Sequence, residues 1–146
     1  MRLKTIILSF ATLLLSSQSH AAQNPSDETA PAQPADHVYS EAKQSITVTS
    51  DQPVFTIKLK SNPTTGYAWF LRDYNHDLIT PVKHSFTQPE QKLIGAPSYE
   101  VWVFKAKPTA FTVPHQTTIR MVYARPWSSA DNSTQLVFSV SLKSSE

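Results

Sequence analysis

The chain has 146 residues, with 13 lysines and arginines against 11 aspartates and glutamates, and no cysteine. Without cysteine there can be no thiol enzyme, thiolate metal site or disulfide framework, so an exported form must be stabilised by its core alone. The net charge of +2 resides near the N-terminus: without Arg2 and Lys4 the signs balance, and no net charge points to nucleic acid or an anionic membrane.

Residues 1–21 read as a secretory signal peptide. Arg2 and Lys4 form a positive start, and Ile6 to Leu15 an apolar run too short to span a bilayer. Ser19-His20-Ala21 carries small residues at the two positions a signal peptidase reads, so cleavage after Ala21 is expected, with Ala22 the next choice. This predicts an exported, periplasmic or secreted protein with no membrane attachment after cleavage. Residues 22–36 form a Pro/Ala-rich linker without large apolar residues, so a disordered tether or spacer is expected.

Residues 37–146 form one domain, and its pattern is β throughout. Ile46 and Val48 alternate with threonines. Phe55, Ile57 and Leu59 alternate with Thr56, Lys58 and Lys60, the period of a half-buried strand. Tyr67 to Leu71 is a short aromatic run, and Val82 to Phe86 a weaker candidate. Tyr99 to Phe104 is almost continuously apolar, as in a strand covered on both faces. Ile119, Met121 and Tyr123 alternate with Thr118, Arg120 and Val122; Leu136, Phe138, Val140 and Leu142 alternate largely with serine. About seven strands in one domain of this size predict an all-β, immunoglobulin-like antiparallel sandwich. The aromatics Tyr67, Trp69, Phe70, Tyr99, Trp102, Phe104 and Tyr123 are expected to be core. Gly66 and Gly95 are the only glycines, so each is expected where positive φ or a close backbone approach is needed.

Two loops carry chemistry. In Asn62-Pro63-Thr64-Thr65-Gly66-Tyr67, proline biases Asn62 to extended backbone, and the Asn side chain is suited to an Asx-turn. Pro63 fixes φ, the threonines are stiff and Gly66 permits a sharp reversal. The result is a narrow, uncharged, pre-shaped loop that costs little ordering entropy on binding. In Arg125-Pro126-Trp127, a planar donor and a large anchor flank a stiffening proline, the residue types enriched at interface hot spots. Taken singly, the first loop reads more readily as an ordinary turn. Trp127 reads equally as an exposed anchor or as core.

As a pair, in this order and spacing, they resemble the signature of the chagasin-like inhibitors of papain-family cysteine peptidases. The likeness runs from about Ile46 to Lys143 and includes Ala68-Trp69 after the first loop. It implies a sandwich with three binding loops at one end that straddle the catalytic groove of a papain-like enzyme. Thr64 would lie closest to the target thiol, Thr65 and Gly66 would fill the same cleft, and Trp127 would pack on an aromatic wall of the primed side. Inhibition would be reversible and competitive, by a monomer without metal or cofactor. The middle loop departs from the family's Gly-x-Gly-Gly form: Leu93, Ile94 and Gly95 can still reach the enzyme, but Pro97 and Ser98 replace the second and third glycines. Proline removes a donor and serine resists positive φ, so this loop is expected to take another shape and to alter target range.

His37, His76, His84 and His115 lack metal-ligand spacing, and no nucleophile elbow or phosphate-cradling glycine loop occurs. An enzyme is not expected. The alternative is a secreted immunoglobulin-like ligand-binding or adhesion module, which would carry exposed aromatics on a flat sheet face rather than at a loop end.

Overall fold

A computed structural model describes residues 37–87, 98–127 and 133–145. The expected signal peptide, the linker and the middle-loop residues Leu93, Ile94, Gly95 and Pro97 lie outside them. Eight strands follow in chain order: β1 (Val38–Tyr39), β2 (Ser45–Thr49), β3 (Val54–Ser61), β4 (Ala68–Tyr74), β5 (Ile79–Thr87), β6 (Ser98–Ala106), β7 (His115–Ala124) and β8 (Thr134–Lys143). They build two four-stranded sheets, one in the order β1-β3-β6-β5 and the other β2-β8-β7-β4. Single 3-10 turns at Pro63–Thr65 and Pro108–Phe111 join β3 to β4 and β6 to β7.

The period-two patterns become the inner faces of the two sheets. Phe55, Ile57, Leu59 and Phe104 from the first sheet meet Ile46, Ile119, Met121, Phe138 and Leu142 from the second, all with almost no exposed surface. Phe55 and Phe104 are cross-strand partners and stack at 5.4 Å. Burying each such side chain contributes about 1.5–3 kcal/mol, and these contributions stand in for the missing disulfides.

The sandwich is as expected, with differences in detail. The N-terminal strands pair in parallel, β1 with β3 and β2 with β8; the other pairings are antiparallel. Alternation reports which face is buried, not the direction of the neighbour, so the parallel edges leave no mark in the pattern. Strand β1 is too short to show a period. Pro81 sits in β5, an edge strand, beside a register shift between Pro81 and Lys83, where proline costs no ladder hydrogen bond.

The aromatic set also divides. Trp69 and Phe104 are core, Tyr67, Tyr99, Trp102 and Tyr123 are half-buried, and Phe70 stands 40% exposed on the outer face of β4. Strand β6 is not fully covered: Val101 and Val103 are half-buried.

The registers gather three connections at one end. Ser61 pairs with Ser98 and Thr87 with Tyr99, so β3, β5 and β6 meet there. Ala68 pairs with Ala124 and Tyr123 with Thr134, which brings β4, β7 and β8 to the same end.

Candidate functional site

The first loop is built as the residue types demand. Asn62 is extended at φ −125° and ψ 87°. Its carbonyl accepts from Thr65 N at 3.1 Å and from Thr65 Oγ1 at 2.7 Å. Pro63–Thr65 make one 3-10 turn, closed by Gly66 N donating to Pro63 O at 3.1 Å. Gly66 adopts φ 77°, the only positive φ among the described residues. One expectation is corrected here. The Asn62 side chain does not bond its own backbone; Oδ1 accepts the Thr64 hydroxyl at 2.6 Å. The 3-10 turn spends the Thr65 N–H on the Asn62 carbonyl, and the side-chain oxygen braces the Thr64 hydroxyl instead.

The second loop is locked to the first. Arg125 Nε donates to Thr65 O at 3.1 Å, and the guanidinium lies 4.6 Å over the Tyr67 ring. A Cβ on Gly66 would stand 2.9 Å from Trp127 Cη2, so the indole packs on the bare glycine. Gly66 thus meets both conditions read from its sequence, positive φ and close approach. Trp127 is nonetheless 73% exposed, so its indole is a surface group and not core. Arg125 uses its Nε and its planar face inside the tip, where it braces the neighbouring loop.

An aromatic stem supports both loops. Tyr67 stacks on Tyr123 at 5.3 Å, and Trp69 lies 5.0 Å from Tyr123. Asn62 N donates to the Tyr123 hydroxyl at 3.0 Å, and Trp69 Nε1 donates to Lys60 O at 2.8 Å. Beneath them Glu100, with no exposed surface, accepts from Ser61 Oγ and from Trp69 N. No motif marks Glu100; its one signal is a lone carboxylate inside an apolar strand, where charge is rarely left without partners.

Asn62, Pro63, Thr64 and Thr65 are exposed at this tip, with Pro126 and Trp127 beside them. Ser98, the one residue of the Pro97-Ser98 departure among the described residues, lies in β6 opposite Ser61 and has no positive φ. Among the described residues no group of three His, Asp or Glu could hold a metal; His76 meets only Asp77, at 3.4 Å.

A β-sandwich that braces two stiff loops, the second carrying Arg125, into one exposed wedge has the build of a loop-presenting protein binder. The model of the Chagasin family peptidase inhibitor I42 matches residues 48–142, and the chain belongs to this family, whose members are peptidase inhibitors and not enzymes. It is similar to chagasin of Trypanosoma cruzi, 29% identical over 91 residues, 60% of this chain and 77% of that one. Among solved structures it resembles a cysteine protease inhibitor of Entamoeba histolytica, with TM-score 0.60 and 23% identity over 73% of this chain and 94% of that one. It also resembles amebosin, with TM-score 0.51 and 20% identity over 74% and 96%. Both structural likenesses are likenesses of fold.

Proposed function

We propose that the protein inhibits papain-like cysteine proteases reversibly and competitively, by seating the Asn62–Tyr67 loop and the Arg125–Trp127 loop together in the active-site cleft. The observation that carries this reading is the lock between the loops: Arg125 bonds Thr65, and Trp127 rests on Gly66 while most of its surface stays open. Two loops fixed to one another form a wedge that need not be ordered on binding, and that lost freedom is a main cost of association. Thr64, at the apex of the 3-10 turn, faces the catalytic thiol in this arrangement. The wedge offers no carbonyl held for attack, so it occludes without being cleaved. Leu93, Ile94 and Gly95 flank the cleft from the third connection. The protein acts as a monomer and is exported after cleavage following Ala21.

The adhesion-module alternative asks for exposed aromatics on a sheet face. Among the described residues the exposed aromatics on strands are Phe70, on the outer face of the second sheet, and Phe86, near the end of edge strand β5, while Trp127, the most exposed large apolar side chain, is at the tip.

The test is titration of the exported chain against papain and a cathepsin L-type enzyme, beside a Thr64→Arg/Trp127→Ala variant. Competitive inhibition that the variant loses is expected; a folded wild type inactive at micromolar concentration overturns the reading. N-terminal sequencing of the exported protein checks the cleavage site.

A further inference from the structure

Glu100 is the third residue of β6, on the first sheet's inner face beneath the tip, with no exposed surface. A buried carboxylate persists only where hydrogen bonds replace its hydration, and for stability alone an apolar residue of similar volume serves as well or better. The partners of this one indicate what the carboxyl group does. Oε1 accepts from Ser61 Oγ at 2.6 Å and from the backbone N–H of Trp69 at 3.0 Å. Oε2 lies 3.0 Å from His84 Nε2, and the His84 ring stacks on Trp102 at 3.9 Å. Ser61 is the last residue of β3, directly before Asn62; Trp69 is the second residue of β4, two after Tyr67. One carboxylate oxygen therefore holds the strand that enters the first loop and the strand that leaves it. These strands belong to different sheets, so the same oxygen also ties the sheets together beneath the tip.

We infer that Glu100 is a positioning residue for inhibition: it holds the two stems of the Asn62–Tyr67 loop at a fixed separation and so presents the wedge already shaped. This rests on the inhibitor reading of the tip. Of two neighbouring bonds, Asn62 N to the Tyr123 hydroxyl holds the entering stem to β7, and Trp69 Nε1 to Lys60 O joins the two stems through a side chain; Glu100 grips both stems at one buried atom. The His84–Trp102 stack is its second anchor, fixing the carboxylate plane from β5.

The test compares four variants with wild type. Glu100→Leu keeps the volume and removes the acceptor. Glu100→Gln keeps an acceptor oxygen for Ser61 and Trp69 and offers an amide to His84. Ser61→Ala removes one donor while leaving Glu100 in place, a milder lesion should Glu100→Leu fail to fold. Leu142→Ala opens a cavity in the core at the other end of the sandwich. Each is titrated against papain well below its melting temperature, and backbone order at Thr64, Thr65 and Gly66 is read by 15N relaxation without protease. Glu100→Leu is expected to weaken inhibition at least tenfold and to lower order at all three amides. Ser61→Ala should weaken inhibition several-fold. Glu100→Gln should stay within about threefold of wild type, and Leu142→Ala should lose thermal stability with unchanged inhibition.

Wild-type inhibition by Glu100→Leu overturns the inference, as does Glu100→Gln as weak as Glu100→Leu. So does inhibition that falls in step with melting temperature in Leu142→Ala as well. A wild type that does not inhibit at all refutes the inhibitor reading, while the relaxation data still report whether Glu100 orders the loop.

Discussion

Two 3-10 turns with nearly the same chemistry sit at opposite ends of this sandwich. Pro63–Thr65 and Pro108–Phe111 each begin with proline, and neither has a side-chain cap. The first buries none of its residues, whereas the second pushes Ala110 fully into the core. The first also closes on a left-handed glycine, the second on Thr112 in ordinary helical backbone. A turn that plugs the core is held by the hydrophobic effect. A turn that must stay open to a partner is held from below and from the side, by Tyr123, Glu100 and Arg125. The same local sequence logic thus serves stability at one end and presentation at the other.

Substitutions that strike one turn and spare the other test this division. The largest effect is expected for Gly66→Val. The side chain meets positive φ at a cost of about 1–2 kcal/mol. It also collides with Trp127, and dislodging such an anchor costs about 2 kcal/mol or more. Inhibition should weaken by about 100-fold or more in a titration, while stability in denaturant unfolding falls by no more than the about 1–2 kcal/mol of strain. Ala110→Leu is the mirror experiment. Overpacking that site should cost about 1–3 kcal/mol in denaturant unfolding and leave inhibition unaltered. If Ala110→Leu weakened inhibition while Gly66→Val chiefly lowered stability, the contrast between the turns would be reversed. Pro97→Gly returns a glycine to the middle loop and should shift relative inhibition of papain and a cathepsin L-type enzyme several-fold; identical profiles would show that Pro97 does not set target range.

The smallest effect belongs to the far end. A hydrogen bond from the Thr49 side chain holds the Asp51 carboxyl below the usual carboxylate range. A depressed folded value contributes stability above the ordinary carboxylate pKa and loses it as pH falls through the lowered one. Thr49→Val should therefore slightly flatten the acid limb of melting temperature against pH, without touching inhibition. An unchanged limb would remove the role given to this bond.

Where one face of a strand is buried, the sequence is readable: β2, β3, β7 and β8 stand out because Ile46, Phe55, Ile119 and Phe138 recur on one side. Where pairing direction or brevity matters it is not, and the parallel partners of β1 and β2 are visible only in three dimensions. The loops show the same split. Backbone bias at Pro63 and Gly66 is local and legible, and the exposure of Trp127 follows from a motif. The bond from Arg125 to Thr65 spans sixty positions and has no local signature. Glu100 is harder still, since its purpose is defined by Ser61 and Trp69, which come from different strands.

The registers of the first and last strands have a practical corollary. Strand β1 begins opposite Thr56, near the start of β3, and β8 runs from beside Tyr123 away to Lys143. Near its end Ser145 N donates to Ser50 Oγ at 2.9 Å. The described chain therefore both enters and leaves at the pole remote from the wedge. A tag, a fluorophore or an attachment to a solid support at His37 or beyond Ser145 leaves the binding pole facing outward, and copies strung head to tail through flexible spacers would each keep a free wedge.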